Sequence, residues 1–383
     1  MTRGRGPIGA ERRSRAGLVL LAAILAVAAV LAPARAPVAA AASGGLVLTT
    51  ATTYTIVPAR ALVRVVIDVT ARNDKPNTTA NGILTRYYYE SARFAVQSEA
   101  RNVRATSGGT RLVTTTKADD GFAILDVRFP RDLFFRQTTK LRITFDLPGG
   151  APRSASEIRV GRAFATFTAW AFGDGGSVRI VVPSGFSVET SGSDVRRSTS
   201  GGTTVLRATG IEDITAWYVV VVADRKSGLI GERLPLSGEA IVVRGWPEDP
   251  AWRRQVADLL TSGLPRLVSD TGLDWPVEGD LEVFEVHTPL LEGYAGVFLQ
   301  GQNRIEISED LDELTILHEA SHAWFNGSLF TGRWINEGFA DTYAARARAA
   351  LGAAAGAPAA VTPGDAAAGP LGAEQRPRRT PDK

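Results

Sequence analysis

The sequence predicts a multidomain chain, in which an N-terminal all-β domain, a sandwich or saddle over residues 45–225, precedes a smaller α+β domain over residues 239–352. Three observations carry this. Runs at 62–69, 122–129, 141–145, 177–182 and 217–222 are rich in β-branched and aromatic residues, and turns of Gly, Asn, Asp and Ser divide them. No helical period of useful length interrupts residues 45–225, so roughly ten or more strands are expected there. After residues 226–238, which read as a linker, strand and helix signals alternate.

The chain begins with Arg3, Arg5, Arg12, Arg13 and Arg15 ahead of an apolar run over 17–32, with three alanines at 40–42 before Ser43. This is the pattern of an export signal spanning residues 1–42. It predicts a secreted or cell-surface protein, held in a membrane only if the segment stays uncleaved. Loss of those residues, six arginines and one glutamate, takes the formal charge from +3 to −2. A mature chain of that charge implies no nucleic-acid partner. The absence of cysteine excludes disulfides and thiolate ligands, so a metal would be held by histidine and carboxylate.

Within the β region, Tyr87, Tyr88 and Tyr89 read as strand packing. In the second domain a short strand is expected at 239–244. Asp249 and Pro250 then supply an N-cap and first-turn proline for a helix running toward Leu267. A strand follows at 281–286, then a hairpin of 296–300 and 304–307 turning through 301–303. Trp246, Trp252 and Trp275 read as core, and His287, ahead of Pro289, as a strand-end or surface residue. Residues 353–383 are Ala-, Pro- and Gly-rich and read as a disordered tail.

Chemistry concentrates at His318-Glu319-Ala320-Ser321-His322, which holds two of the three histidines in the chain. Asp310 as N-cap with Glu313 three residues on, and leucines at 311, 314 and 317, place it on a helix. His318 and His322, at i and i+4, then share one face. In this H-E-x-x-H pattern two imidazoles bind one zinc ion and the glutamate serves as general base. A third ligand has to come from elsewhere, and Glu337, near the start of a second helix that Gly352 would end, offers one. Asp341, four residues on, shares its face and is placed to accept a hydrogen bond from the far nitrogen of a ligating histidine.

The segments 318–325 and 336–340 resemble the two zinc signatures of the gluzincin metallopeptidases, most closely the aminopeptidase N family. The resemblance implies one zinc ion per chain on His318, His322 and Glu337, with Glu319 as base, and a peptide or protein substrate. Asp341 resembles the thermolysin-like branch, where an aspartate at that spacing supports a histidine. Residues 239–352 would then be the upper half of a truncated thermolysin-like zinc peptidase domain, preceded, as in the relatives, by a β domain. An edge strand before the zinc helix would pair with the substrate backbone. The relatives take a transition-state tyrosine or histidine from a later helical region; here Tyr294 is the nearest upstream phenol and Tyr343 lies off the face of Glu337. Two classes of function follow: an exported zinc peptidase, or a catalytically impaired zinc-binding cell-surface module or truncated form lacking the C-terminal helical half. The relatives also read a substrate's free amine with a glutamate in a Gly-x-Met-Glu-Asn segment. The corresponding residues 293–303 hold no acidic residue, and Glu292 just upstream is the one that would restore it.

Overall fold

The computed structural model describes residues 44–236, 239–291 and 293–352. The expected signal segment, the tail over 353–383 and Glu292 therefore lie outside the described residues. The chain forms two compact units: residues through Ile230 with Trp246–Pro250, and Gly231–Gly245 with the residues from Ala251 onward.

The first unit is built of seventeen strands among the described residues, as the alternating β-branched runs require. Leu46–Val57 and Leu62–Asn73 form a long antiparallel pair, with Leu46 opposite Asn73 and Val57 opposite Leu62. They lie at the middle of an eight-stranded sheet, flanked by Gly175–Val182 on one side and Thr138–Pro148 on the other. A four-stranded sheet around Phe164–Trp170 and Tyr218–Asp224, and a three-stranded sheet around Phe122–Phe134, complete the layers. Inward side chains of all three sheets meet in one core that includes Val65, Ile67, Phe94, Leu125, Phe167 and Val219. Each fully buried side chain of this size contributes roughly 1.5–3 kcal/mol. Tyr54 ties two sheets together: its hydroxyl, wholly buried, donates to the Trp170 carbonyl at 3.0 Å, and burial pushes its pKa up. The pairing of Leu46–Val57 with Gly175–Val182 is parallel. It needs Gly176, at φ +153°, because a Cβ there would lie 1.9 Å from the Thr50 carbonyl oxygen.

The tyrosine triplet differs from its reading as strand packing. Tyr88 opens its strand and is 47 % exposed, resting on the Phe134 ring at 5.4 Å, and only Tyr89 packs against the core.

In the second unit a five-stranded sheet runs in the order Ile230–Leu236, Glu239–Gly245, Leu281–Val286, Arg304–Ser308, Gly296–Leu299. The middle three strands are parallel and Gly296–Leu299 returns antiparallel at the edge. Parallel neighbours need a crossover. It is supplied by α1, Pro250–Thr271, whose Trp252, Val256, Leu260, Leu264 and Leu267 are buried at helical spacing. The residues expected as a linker are largely sheet: Ile230–Leu236 forms the other edge, following a single turn at Lys226–Gly228. An edge strand with Glu232, Arg233 and Pro235 has the polarity of a linker, yet Leu234 and Leu236 still pack on the core.

The helix that bears the motif, α2, spans Glu313–Ser321, and α3 spans Arg333–Ala350. The start of α2 differs from expectation. Leu311 sits at φ 47°, which breaks the helical path, so Asp312 and not Asp310 is the N-cap. Its carboxylate accepts from the Thr315 N–H at 2.7 Å, while Asp310 accepts from the Thr288 hydroxyl. Among the described residues no helix is long and apolar enough to cross a membrane.

Candidate metal centre

Three elements of the second unit bring the site together. Helix α2 is held against α1 at Gly263, where a Cβ would stand 2.5 Å from Leu317 Cδ2, and this packing fixes which face of α2 turns outward. His318 lies in the last turn of α2 and His322 is its C-cap, still with right-handed helical dihedrals, so the i, i+4 relation survives the end of the helix. The Asn326 amide donates to the His322 and Ala323 carbonyls, both at 2.9 Å, which satisfies groups that the helix end leaves open. Helix α3 buries Ala340, Ala344 and Ala347, small residues that let it lie close while Glu337, in its second turn, faces the histidines.

The donor atoms converge. His318 Nε2 and His322 Nε2 are 3.1 Å apart, and Glu337 Oε2 lies 3.2 Å from the first and 3.5 Å from the second. Donors at about 2.0–2.1 Å from a tetrahedral zinc ion stand about 3.3–3.4 Å apart, so this triangle fits the ion. The outer nitrogens fix both tautomers. His318 Nδ1–H donates to Asp341 Oδ1 at 2.7 Å and His322 Nδ1–H donates to the Phe325 carbonyl at 2.8 Å. Both Nε2 lone pairs therefore point at a carboxylate oxygen, an arrangement that repels itself unless a proton or a cation enters.

The electrostatics of the metal-free site register that demand. Burial alone would lower the His318 pKa, but the hydrogen bonds to Asp341 and Glu337 outweigh it and raise the group to about 10. The hydrogen bonds from His318 and His322 hold the Glu337 carboxyl well below the usual carboxylate range. Glu319 moves the other way: it is only 7 % exposed, and burial raises its pKa against the pull of the two imidazoles. The Phe298 N–H, on the edge strand, also points to the Glu319 carboxylate.

A cleft of about 370 Å³ opens over these groups, lined by His318, Glu319, His322 and Glu337 and by the edge-strand residues Gly296, Val297 and Phe298. Gly296 is where the strand meets the glutamate: a Cβ there would lie 2.7 Å from Glu319 Cγ. The structure thus brings His318, His322, Glu337, Asp341 and Glu319 together. Tyr294 lines the same cleft, 54 % exposed, with its hydroxyl beside the Arg333 guanidinium. Tyr343 packs on Phe325 at 4.9 Å and is not among the cleft-lining residues. His287 closes its strand but is not a surface residue: it is 4 % exposed, with Nδ1 2.5 Å from Glu309. Trp246 and Trp252 are buried, and Trp275 packs edge-on against Trp324 at 5.1 Å.

Four contributors escape sequence reasoning. The Phe325 carbonyl and the Phe298 N–H are backbone groups that carry no residue signature. Gly296 left a trace as a glycine inside a strand pattern, which marks close approach. Arg333 left one as the i−4 neighbour of Glu337, and its Nε stands 3.4 Å from Glu337 Oε1.

No family model and no curated protein matches the chain. Among solved structures it is similar to an M1 zinc metallopeptidase from Deinococcus radiodurans, at 16 % identity over 81 % of this chain and 72 % of that one, TM-score 0.31. A mutant of that peptidase bound to a Tyr-Ser-Ala substrate matches at 15 % identity over the same shares, TM-score 0.31. A two-domain M1 zinc metallopeptidase mutant bound to L-arginine matches at 16 % identity over 80 % of this chain and 72 % of that one, TM-score 0.30. At such identities and scores the likeness carries no functional argument, and the donor triangle must speak for the chemistry.

Proposed function

We propose that this chain is a zinc-dependent metallopeptidase that hydrolyses peptide bonds, with His318, His322 and Glu337 as the ligands of one zinc ion and Glu319 as general base. The observation that carries the reading is the triangle of donor atoms, all within 4.8 Å of one another, set in a cleft beside a buried carboxylate. A structural zinc site closes its shell with four protein donors, whereas three leave a position open to water.

Bound there, zinc would lower the pKa of that water toward about 7 and polarise a carbonyl. Glu319 takes the proton of the attacking water and passes it to the leaving amine. Burial prepares it for both roles, because a carboxyl with a raised pKa gives and takes protons more evenly near neutral pH. Asp341 and the Phe325 carbonyl hold the imidazoles in the ligating tautomer. Strand Gly296–Leu299 is the outer strand of its sheet, so its free edge can take an extended substrate as a further strand. Export rests on the sequence of residues 1–42 alone.

Metal analysis and turnover on a mixed peptide pool test the reading together. Wild type should hold stoichiometric zinc and cleave; His322→Ala should lose the metal; Glu319→Gln should keep it and lose all cleavage. Zinc retained without cleavage in the wild type refutes a peptidase, and zinc retained in His322→Ala refutes the site.

A further inference from the structure

We propose that Arg333 is a specificity-determining residue that binds a substrate carboxylate next to the scissile bond, so that the cleft selects peptides by a negative charge and not by a free amine. The proposal deepens the peptidase reading and rests on it for what the bound peptide then undergoes.

Arg333 is the first residue of α3, one turn before Glu337. Its Nε faces Glu337 Oε1 at 3.4 Å, while Oε2 of the same carboxylate faces the two imidazoles. The guanidinium is thus one carboxylate group away from the point where the donors converge. It is 77 % exposed and lines the cleft, and the Tyr294 hydroxyl stands beside it. An exposed i, i+4 ion pair adds little to stability, so the fold does not require a guanidinium here. A guanidinium has five N–H donors, and its contacts to the Tyr294 hydroxyl and to Glu337 leave most of them available to a ligand.

The charge of the cleft points the same way. Among the described residues that line it, the only carboxylates are Glu319 and Glu337, and the only cations besides the histidines is Arg333. With zinc present, a dication and a guanidinium face two carboxylates, which leaves one positive charge. Glu337 is then occupied by the metal and Glu319 by the water, so an incoming ammonium group finds no free carboxylate among the described lining residues. An incoming carboxylate finds a fork shaped to receive it. Successive Cα atoms are about 3.8 Å apart, so a carbonyl at the metal puts a carboxylate on the flanking residue within reach of that fork. The carboxylate is either a chain terminus or an acidic side chain, and the chemistry of binding is shared.

Binding is measured on zinc-loaded Glu319→Gln protein, which holds peptides without cleaving them. Calorimetric titration would compare a short acetylated peptide ending in a free carboxylate, the same peptide as its C-terminal amide, and an amidated peptide carrying glutamate at the flanking position. One or both carboxylate forms should bind at least about tenfold tighter than the neutral amide, and the tighter of the two identifies the source. Adding Arg333→Gln should bring the ratio to within about twofold with zinc content unchanged, while Arg333→Lys should retain part of it. A ratio near one with Arg333 in place overturns the proposal. So does a ratio that survives Arg333→Gln, which would seat the carboxylate on the metal. Because turnover does not enter, a wild-type protein that holds zinc and cleaves nothing would sink the peptidase reading alone, and the binding ratio would still decide Arg333.

Discussion

A single methyl group at Gly296 should silence the site while leaving its metal in place. In Gly296→Ala the new Cβ would meet Glu319 Cγ at 2.7 Å, Ile307 Cδ1 at 3.0 Å and Thr315 Cγ2 at 3.0 Å. Ile307 is 1 % exposed within the sheet, and Thr315 is held by two hydrogen bonds to Asp312, so neither retreats easily. The Glu319 side chain is the one that yields. If it swings, the general base leaves its place, and loss of general-base catalysis costs about 10²–10⁴ in kcat. If it holds, the overpacked contact costs about 1–3 kcal/mol of stability, seen as a lower melting temperature. His318, His322 and Glu337 are untouched, so zinc content should stay stoichiometric. Gly301→Ala in the same hairpin, where a Cβ meets nothing within 4 Å, is the control and should behave as wild type. Full activity and an unchanged melting temperature in Gly296→Ala would refute the claimed apposition of the edge strand and Glu319.

Three further outcomes are expected. Asp341→Asn should weaken zinc binding about tenfold, the low end for such a supporting carboxylate because Asp341 is 58 % exposed; competition with a chelator of known affinity reads this directly. For the metal-free protein, the His318 pKa of about 10 lies above its ordinary value of 6.5, so its contribution to stability is full below pH 6.5 and is lost as pH rises through about 10. Denaturant midpoints at pH 6, 8 and 10 should fall in that order for metal-free protein, and zinc should remove much of the trend, since the metal replaces the proton. Finally, acetylation of a peptide's N-terminus should leave its hydrolysis nearly unchanged, because Glu319 and Glu337 are the only carboxylates among the described cleft-lining residues. A free-amine preference of about a hundredfold, or about 2.7 kcal/mol, is what one charge-assisted hydrogen bond supplies and would place an amine-binding carboxylate in the cleft, with Glu292 the first to substitute.

What the sequence determined by itself is what periodicity and local chemistry encode. The period-two runs made the first unit a β structure. The i, i+4 spacing set His318 and His322 on one face, and the same spacing put Asp341 on the face of Glu337, where it meets His318 Nδ1. Those relations are local to one helix and survive whatever the rest of the chain does. The tertiary structure decided everything that depends on one element meeting another. The edge strand Ile230–Leu236 looked like a linker because half its faces are wet, and only pairing with Glu239–Gly245 shows that it belongs to the sheet. The start of α2 moved to Asp312 because Leu311 adopts a left-handed conformation that no propensity in the sequence announces. His287 proved buried because Glu309, 22 residues away, satisfies it. The triangle itself needs α3 folded back on α2, since Glu337 lies fifteen positions beyond His322 in the chain and 3.5 Å from it in space. Backbone partners such as the Phe325 carbonyl are identical in every residue, so only the fold can say which of them finds a histidine.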